Sequence, residues 1–178
     1  RHYMQFDDTE VVALLGALSN AKAPSGFEEE TLGVVRRFCE GWARVDENTL
    51  RDGLVTPTSF TGEKPVLMLD AHGDEVGGMV RCIHANGTMG FVELGREAER
   101  ATGTAPLVLD VGATSREDAV TRFRMGMGEP FVPATAFSFD ERTGVALGKA
   151  FDCRAGVCAM LLALRELARR DDLPFDVV

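Results

Sequence analysis

Residues 65–80 read PVLMLDAHGDEVGGMV, and this stretch decides the fold. Pro65 to Leu69 is a continuous apolar run rather than an alternating one, as expected of a strand buried on both faces. His72 and Asp74 stand where that strand ends, with Glu75 beside them. In open α/β sheets the carboxyl ends of strands are where sites form. From Gly77 onward the pattern changes to short strands broken by glycines, so the stretch marks the switch from an α/β core to a β-rich segment.

Upstream, DDTEVVALLGALSNA (7–21) places Val11, Leu14, Leu15 and Leu18 on one helical stripe behind a cap at Asp7 or Asp8. In APSGFEEETLGVVRRFCEGW (23–42) Ser25 and Glu28 have capping-box spacing. Phe27, Val34, Val35 and Phe38 face the core of this second predicted helix, which ends near Gly41. WARVDEN (42–48) and LVTPTSF (54–60) read as short strands around a turn at Arg51 to Gly53. Downstream, GMVRCIHA (78–85) and GTMGFVEL (87–94) flank the turn signal Ala85-Asn86-Gly87. PLVLDVG (106–112), GEPFVPATAFSF (128–139) and TGVALGKA (143–150) add further strands, and TSREDAVTRF (114–123) one helical turn with Ser115 and Asp118 as a capping box. The helical period returns in RAGVCAMLLALRELARR (154–170), and DDLPFDVV (171–178) opens a new strand. This order predicts an α/β fold interrupted by a small β-barrel-like insert: a first core segment over 1–74, the insert over 75–148, and a second core segment over 149–178.

The 178 residues are 45% hydrophobic, with 28 acidic against 19 basic side chains and a formal charge of −9. No apolar run approaches the roughly 18 residues of a membrane helix. The acidic balance argues against a nucleic-acid partner, which requires a basic footprint. Cys39, Cys82, Cys153 and Cys158 form no CxxC pair, and RHYMQF at the start carries no apolar leader. A reduced, cytoplasmic protein without membrane contact is therefore expected. Met4 is as compatible with a natural start as any position upstream, and His2 carries no argument.

Two constellations could carry chemistry. A histidine at a strand end with a carboxylate two residues on, His72 and Asp74, can ligate a metal through one ring nitrogen while the carboxylate holds the other. The same pair is also readable as a loop histidine beside solvated acids. Asp152 and Arg154 lie at a strand-to-helix junction: Asp152 is a metal ligand or a helix N-cap, and Arg154 fixes what lies nearby. Cys153 is a soft ligand, a nucleophile or a buried structural thiol, the last favoured because no histidine base adjoins it in sequence. Asp70 inside the apolar strand could support a ligand, His84 reads as a surface or dimer-contact residue, and Asp110 as support for the turn after it. The glycine clusters match no phosphate-binding fingerprint, and no Gly-x-Ser-x-Gly elbow occurs.

In this order the segments resemble the metallo-aminopeptidase family that includes the tetrahedral aminopeptidases and glutamyl aminopeptidase, some members of which carry the labels endoglucanase or cellulase M. APSGFEEETLGVV (23–35) is similar to the family's PSG-x-E helix entry and VDENTLRDGLV (45–55) to the strand and turn after it. DAHGDEVGGMV (70–80) is similar to His-x-Asp-Glu-x-Gly, and LVLDVGATSREDA (107–119) to a segment of the family's inserted domain. GKAFDCRAGVCAMLLALREL (148–167) resembles the Asp-Asp-Arg-x-Gly stretch, and LPFDVV (173–178) the strand leading toward a Glu-Glu motif.

The resemblance implies that His72 ligates one metal of a two-metal centre, Asp152 bridges both metals, and Asp74 orients His72. It implies two divalent ions per complete subunit, Zn2+ or Co2+, that activate a water to remove N-terminal residues from short peptides, with a glutamate as general base. It further implies homo-oligomers built through the inserted domain, from dimer up to dodecamer. Three departures stand out. The Glu-Glu motif and later ligands have no counterpart, so the chain is expected to be the N-terminal half of such an enzyme and inactive alone. Cys153 stands where the family has the second aspartate. The insert is short, with only REAERATGTA (96–105) between two of its strands. The alternatives are a truncated, non-catalytic relative acting as a scaffold, and a glycan hydrolase.

Overall fold

The first helix forms where an aspartate precedes an apolar stripe: the Asp7 side chain accepts from the Thr9 N–H and caps α1 (Asp8–Asn20). The computed structural model describes residues 6–95 and 107–178. His2, a start at Met4 and the short linker 96–105 lie outside them. The chain continues through α2 (Glu29–Cys39), β1 (Ala43–Glu47), β2 (Gly53–Pro57), β3 (Val66–Leu67), β4 (Gly77–Ile83), β5 (Met89–Leu94) and α3 (Arg116–Thr121). It ends with β6 (Pro130–Phe131), β7 (Ser138–Asp140), β8 (Val145–Leu147), α4 (Phe151–Ala168) and β9 (Asp176–Val177). The elements fall into two compact units, one reaching Asp74 and resuming at Ala134, the other spanning Glu75–Pro133.

The first unit is built on α4. Leu161, Leu162 and Leu164 on its buried side pack with Leu14 and Leu18 of α1, Val34 and Val35 of α2, and Val55 of β2. Val11, Leu15 and Phe38, read as stripe residues, pack at the margin of this core. Arg165 ties α4 to α1 through a two-pronged contact with Glu10 at 2.6 and 2.7 Å, and its guanidinium lies 4.8 Å from the Phe38 ring. Chain reversal between the antiparallel β1 and β2 uses Asn48, whose side-chain oxygen accepts from the Leu50 and Asp52 N–H groups. Gly41, at φ +84°, ends α2 as its position in the sequence predicts.

The apolar run 65–72 does not become the long buried strand its composition predicts. β3 holds only Val66 and Leu67, paired in parallel with Asp176 and Val177, with α4 in the crossover that a parallel pair requires. Leu69 and Val178 extend the ladder by bonds of 2.9 and 3.0 Å. Val66, Leu67 and Met68 are 53%, 41% and 63% exposed. The reason is topological: among the described residues β9 is the only strand beside β3, so the other edge and the outer face meet no neighbour. Buried Asp176 anchors β9 by accepting from the Thr61 hydroxyl at 2.9 Å and the Gly62 N–H at 2.8 Å.

The second unit is a sheet in the order β5-β4-β6. β4 and β5 reverse at Gly87, which has φ +90° and where a Cβ would lie 2.6 Å from the Ala113 carbonyl oxygen. The α3 cap is as read: the Ser115 hydroxyl accepts from the Asp118 N–H, and the Asp118 carboxylate from Thr114 N–H. Asp110 supports its turn by accepting from the Gly112 N–H at 2.8 Å. The barrel-like insert predicted from the order of short glycine-broken strands is not present among the described residues, and the sheet is open. β6 pairs with β4 at Phe131 and Pro130, and Val80 of β4 carries the contact on by bonding to the Glu129 carbonyl and the Gly128 N–H at 2.9 and 2.8 Å.

Candidate metal centre

The loop after β3 and the start of α4 meet at one place in the first unit. His72 presents its two ring nitrogens to two carboxylates: Nδ1 lies 3.0 Å from Asp74 Oδ1 and Nε2 lies 3.5 Å from Asp152 Oδ1. An ionised Asp74 accepts the proton of Nδ1, which leaves the lone pair of Nε2 facing Asp152. Burial alone would raise the Asp74 pKa. Hydrogen bonds from the Ser25 hydroxyl and the His72 ring override it and hold the carboxyl below its ordinary range.

Backbone anchors fix this pair. Arg154, wholly buried, donates from Nε to the Gly73 carbonyl at 2.9 Å, between the two ligand-type side chains of the loop. Its Nη1 donates to the carbonyls of both Leu18 and Ala21 at 3.0 and 2.7 Å, where α1 ends. The Thr31 hydroxyl also donates to the Gly73 carbonyl, at 3.3 Å. On the α4 side, the Ser19 hydroxyl donates to the Lys149 carbonyl and accepts from its N–H, at 2.8 and 3.1 Å. Ala150 then adopts φ +56°, a left-handed conformation that costs a non-glycine residue about 1 kcal/mol or more. Asp152 and Cys153, joined by a cis peptide bond, depart from helical dihedral angles with ψ of 106° and 27°.

Several sequence readings change here. Ser25 does not cap α2; its hydroxyl goes to Asp74, and Glu28 instead accepts from the Gly26 N–H at 2.6 Å. Asp152 does not cap α4: the N-cap position is Ala150, and no side chain caps the helix there. Cys153 is not a buried structural thiol. It is half-buried and belongs with His72 and Asp152 to a group whose ligand atoms all lie within 4.8 Å of one another. One nitrogen, one oxygen and one sulfur donor are the donor types a divalent cation of the zinc class takes. Asp70 is exposed and outside this group, and His84 lies in the second unit. Ser25 and Thr31 were missed as supports, since hydroxyls near a helix start read first as caps. An open cleft of about 770 Å3 adjoins the site, lined among others by Leu32, Leu54, Met68, His72 and Met160.

A mixed α/β fold with ligand-type side chains gathered at a strand end and a helix start defines the class. Within it, residues 54–105 match the family model of the M42 glutamyl aminopeptidases. The glutamyl aminopeptidase of Lactococcus lactis subsp. cremoris is 29% identical over 205 residues, covering 91% of this chain and 56% of that protein. The TET aminopeptidase of a marine sediment Thaumarchaeota archaeon superposes with a TM-score of 0.80 at 26% identity, over 95% of this chain and 57% of that one. A Pyrococcus horikoshii TET1 peptidase, said to assemble into a tetrahedron or a large octahedral shell, shares the fold with a TM-score of 0.74 at 21% identity, over 94% and 59% of the two chains. The chain thus spans little more than half the length of the relatives it matches. No helix among the described residues is long and apolar enough to cross a membrane.

Proposed function

We propose that the chain contributes to the active site of a metal-dependent aminopeptidase that trims N-terminal residues from short peptides. The observation that carries this reading is His72, held at Nδ1 by Asp74 with Nε2 turned to Asp152 at 3.5 Å. His72 and Asp152 hold divalent metal, zinc or cobalt, and Asp74 fixes the tautomer and tilt of His72. The metal, when bound, supplies an activated water and polarises the scissile carbonyl. Among the described residues no glutamate joins the ligand group. The second unit, with its exposed Met127 and Leu107, is the surface we assign to self-association into homo-oligomers.

Metal ligation is favoured over glycan hydrolysis. A glycosidase needs two carboxylates free to face each other across a sugar ring, and Asp74 is already engaged by Ser25 and His72. The test is metal binding followed by competition with a chromophoric chelator on the metal-stripped protein. His72→Ala is expected to lower zinc affinity by about 100-fold or more, and Asp74→Asn by about 10- to 100-fold. Unchanged affinity in both His72→Ala and Asp152→Ala would overturn the proposal.

A further inference from the structure

We propose that Cys153 is a third protein ligand of the ion held by His72 and Asp152, which makes the site a mixed nitrogen, oxygen and sulfur centre selective for zinc-type ions. The inference rests on the metal-site reading above and goes beyond it, because Cys153 occupies a position where the resemblance leads one to expect a second aspartate. Three observations carry it. First, Cys153 belongs to the group whose ligand atoms lie within 4.8 Å of one another. Donor atoms around a tetrahedral zinc stand roughly 3.5 Å apart, so closure needs about 1 Å of movement. His72 Nε2 and Asp152 Oδ1 already stand 3.5 Å apart, so that movement brings the Cys153 sulfur toward them.

Second, the backbone makes room for the sulfur. A Cβ at Gly156 would lie 2.7 Å from Cys153 Sγ and 3.6 Å from the Ala71 Cβ. The absent side chain at Gly156 lets the thiol lie between the α4 start and the segment leading to His72. Third, Asp152 and Cys153 both sit outside helical geometry at the start of α4. Their side chains are thus presented to the same histidine, whereas adjacent residues of a regular helix point about 100° apart. Binding transfers the thiol proton to solvent and leaves a thiolate on the ion. A soft thiolate donor favours zinc, cobalt and cadmium over magnesium and calcium, which take oxygen ligands.

The experiment is a cobalt titration of the reduced, metal-stripped protein, read in two spectral windows. Visible d–d absorption reports cobalt bound, and a near-ultraviolet thiolate-to-cobalt charge-transfer band reports sulfur bound. The wild-type protein is expected to show both. Cys153→Ser is expected to keep the visible bands, lose the near-ultraviolet band and bind zinc about tenfold or more weakly. Gly156→Ala, which crowds the sulfur, weakens the same band. As a readout that needs no variant, zinc should protect Cys153 from alkylation, scored by peptide mass spectrometry against the partly exposed Cys82 in the same digest. Visible bands without the near-ultraviolet band in the wild type would overturn Cys153 as a ligand and leave the His72–Asp152 site standing. A band that survives in Cys153→Ser would assign it to another thiol, with the same consequence. Absence of both bands would overturn this inference and the metal-site reading together.

Discussion

The first unit has two apolar regions that differ in how they are covered. Around α4, the leucines at 161, 162 and 164 are at most 3% exposed, enclosed by α1, α2 and β2. Along β3, an equally apolar sequence leaves Val66, Leu67 and Met68 between 41% and 63% exposed. An amphipathic helix finishes its burial within a few neighbouring elements, whereas a strand written for a parallel sheet needs neighbours on both edges and layers on both faces. The candidate site lies at the junction of the two regions: His72 and Asp74 continue from the bare strand, and Asp152 and Cys153 begin the covered helix.

Arg154 joins the two regions, so its loss is expected to have the largest effect. It is wholly buried and donates to the carbonyls of Gly73, Leu18 and Ala21. Arg154→Ala removes one donor from each of those carbonyls, leaving them Thr31, the Ala21 N–H and Lys149 Nζ, and it empties a buried site beside the loop that carries His72 and Asp74. Urea denaturation should show a loss of about 4 kcal/mol, and zinc affinity should fall with it. A variant that loses stability but binds zinc normally would show that Arg154 supports the core and not the loop.

A paired truncation sharpens the contrast directly. Leu161 is 0% exposed, and Leu161→Ala removes packed atoms with no possibility of solvent compensation, for a loss of about 3 kcal/mol. Met68→Ser, on the exposed side of the same unit, should change stability by less than about 0.5 kcal/mol. Similar losses at the two positions, measured by the same denaturation midpoints, would mean that the β3 face is covered in solution.

How much of this was legible follows the same division. α1 and its Asp7 cap, the turn at Gly87 and the α3 capping box were readable because each depends on residues a few positions apart. The closeness of His72 and Asp74 was readable for the same reason, and Asp152 stood out at a strand-to-helix junction, where a ligand and a helix cap read alike. Three features were not legible. The Ser25 hydroxyl goes to Asp74, 49 residues away, and its local spacing to Glu28 pointed to a cap. Cys153 joins His72 only because the chain leaves helical geometry at the start of α4. The exposure of β3 depends on which strands stand beside it, which an apolar run in one segment does not encode.

The smallest expected effect lies on the covered side, at the contact between α1 and α4. Glu10 has its pKa lowered chiefly by the hydrogen bond from Arg165, against opposing burial and with help from the charges of Arg165 and Arg169. A carboxylate whose folded-state pKa is depressed contributes stability that is fully present above its unfolded value. That contribution is lost as pH falls through the depressed folded value. The pair therefore adds no slope between neutral pH and the ordinary glutamate range near 4.5, and its contribution disappears below it. Glu10 is 37% exposed, so solvent screening limits the contribution to about 0.5 kcal/mol. Glu10→Gln should lower stability by that amount at pH 7 and match the wild type at the acid end of a series of thermal melts. A difference that grows as the pH falls would place the stabilisation in packing of the side chain, not in its charge.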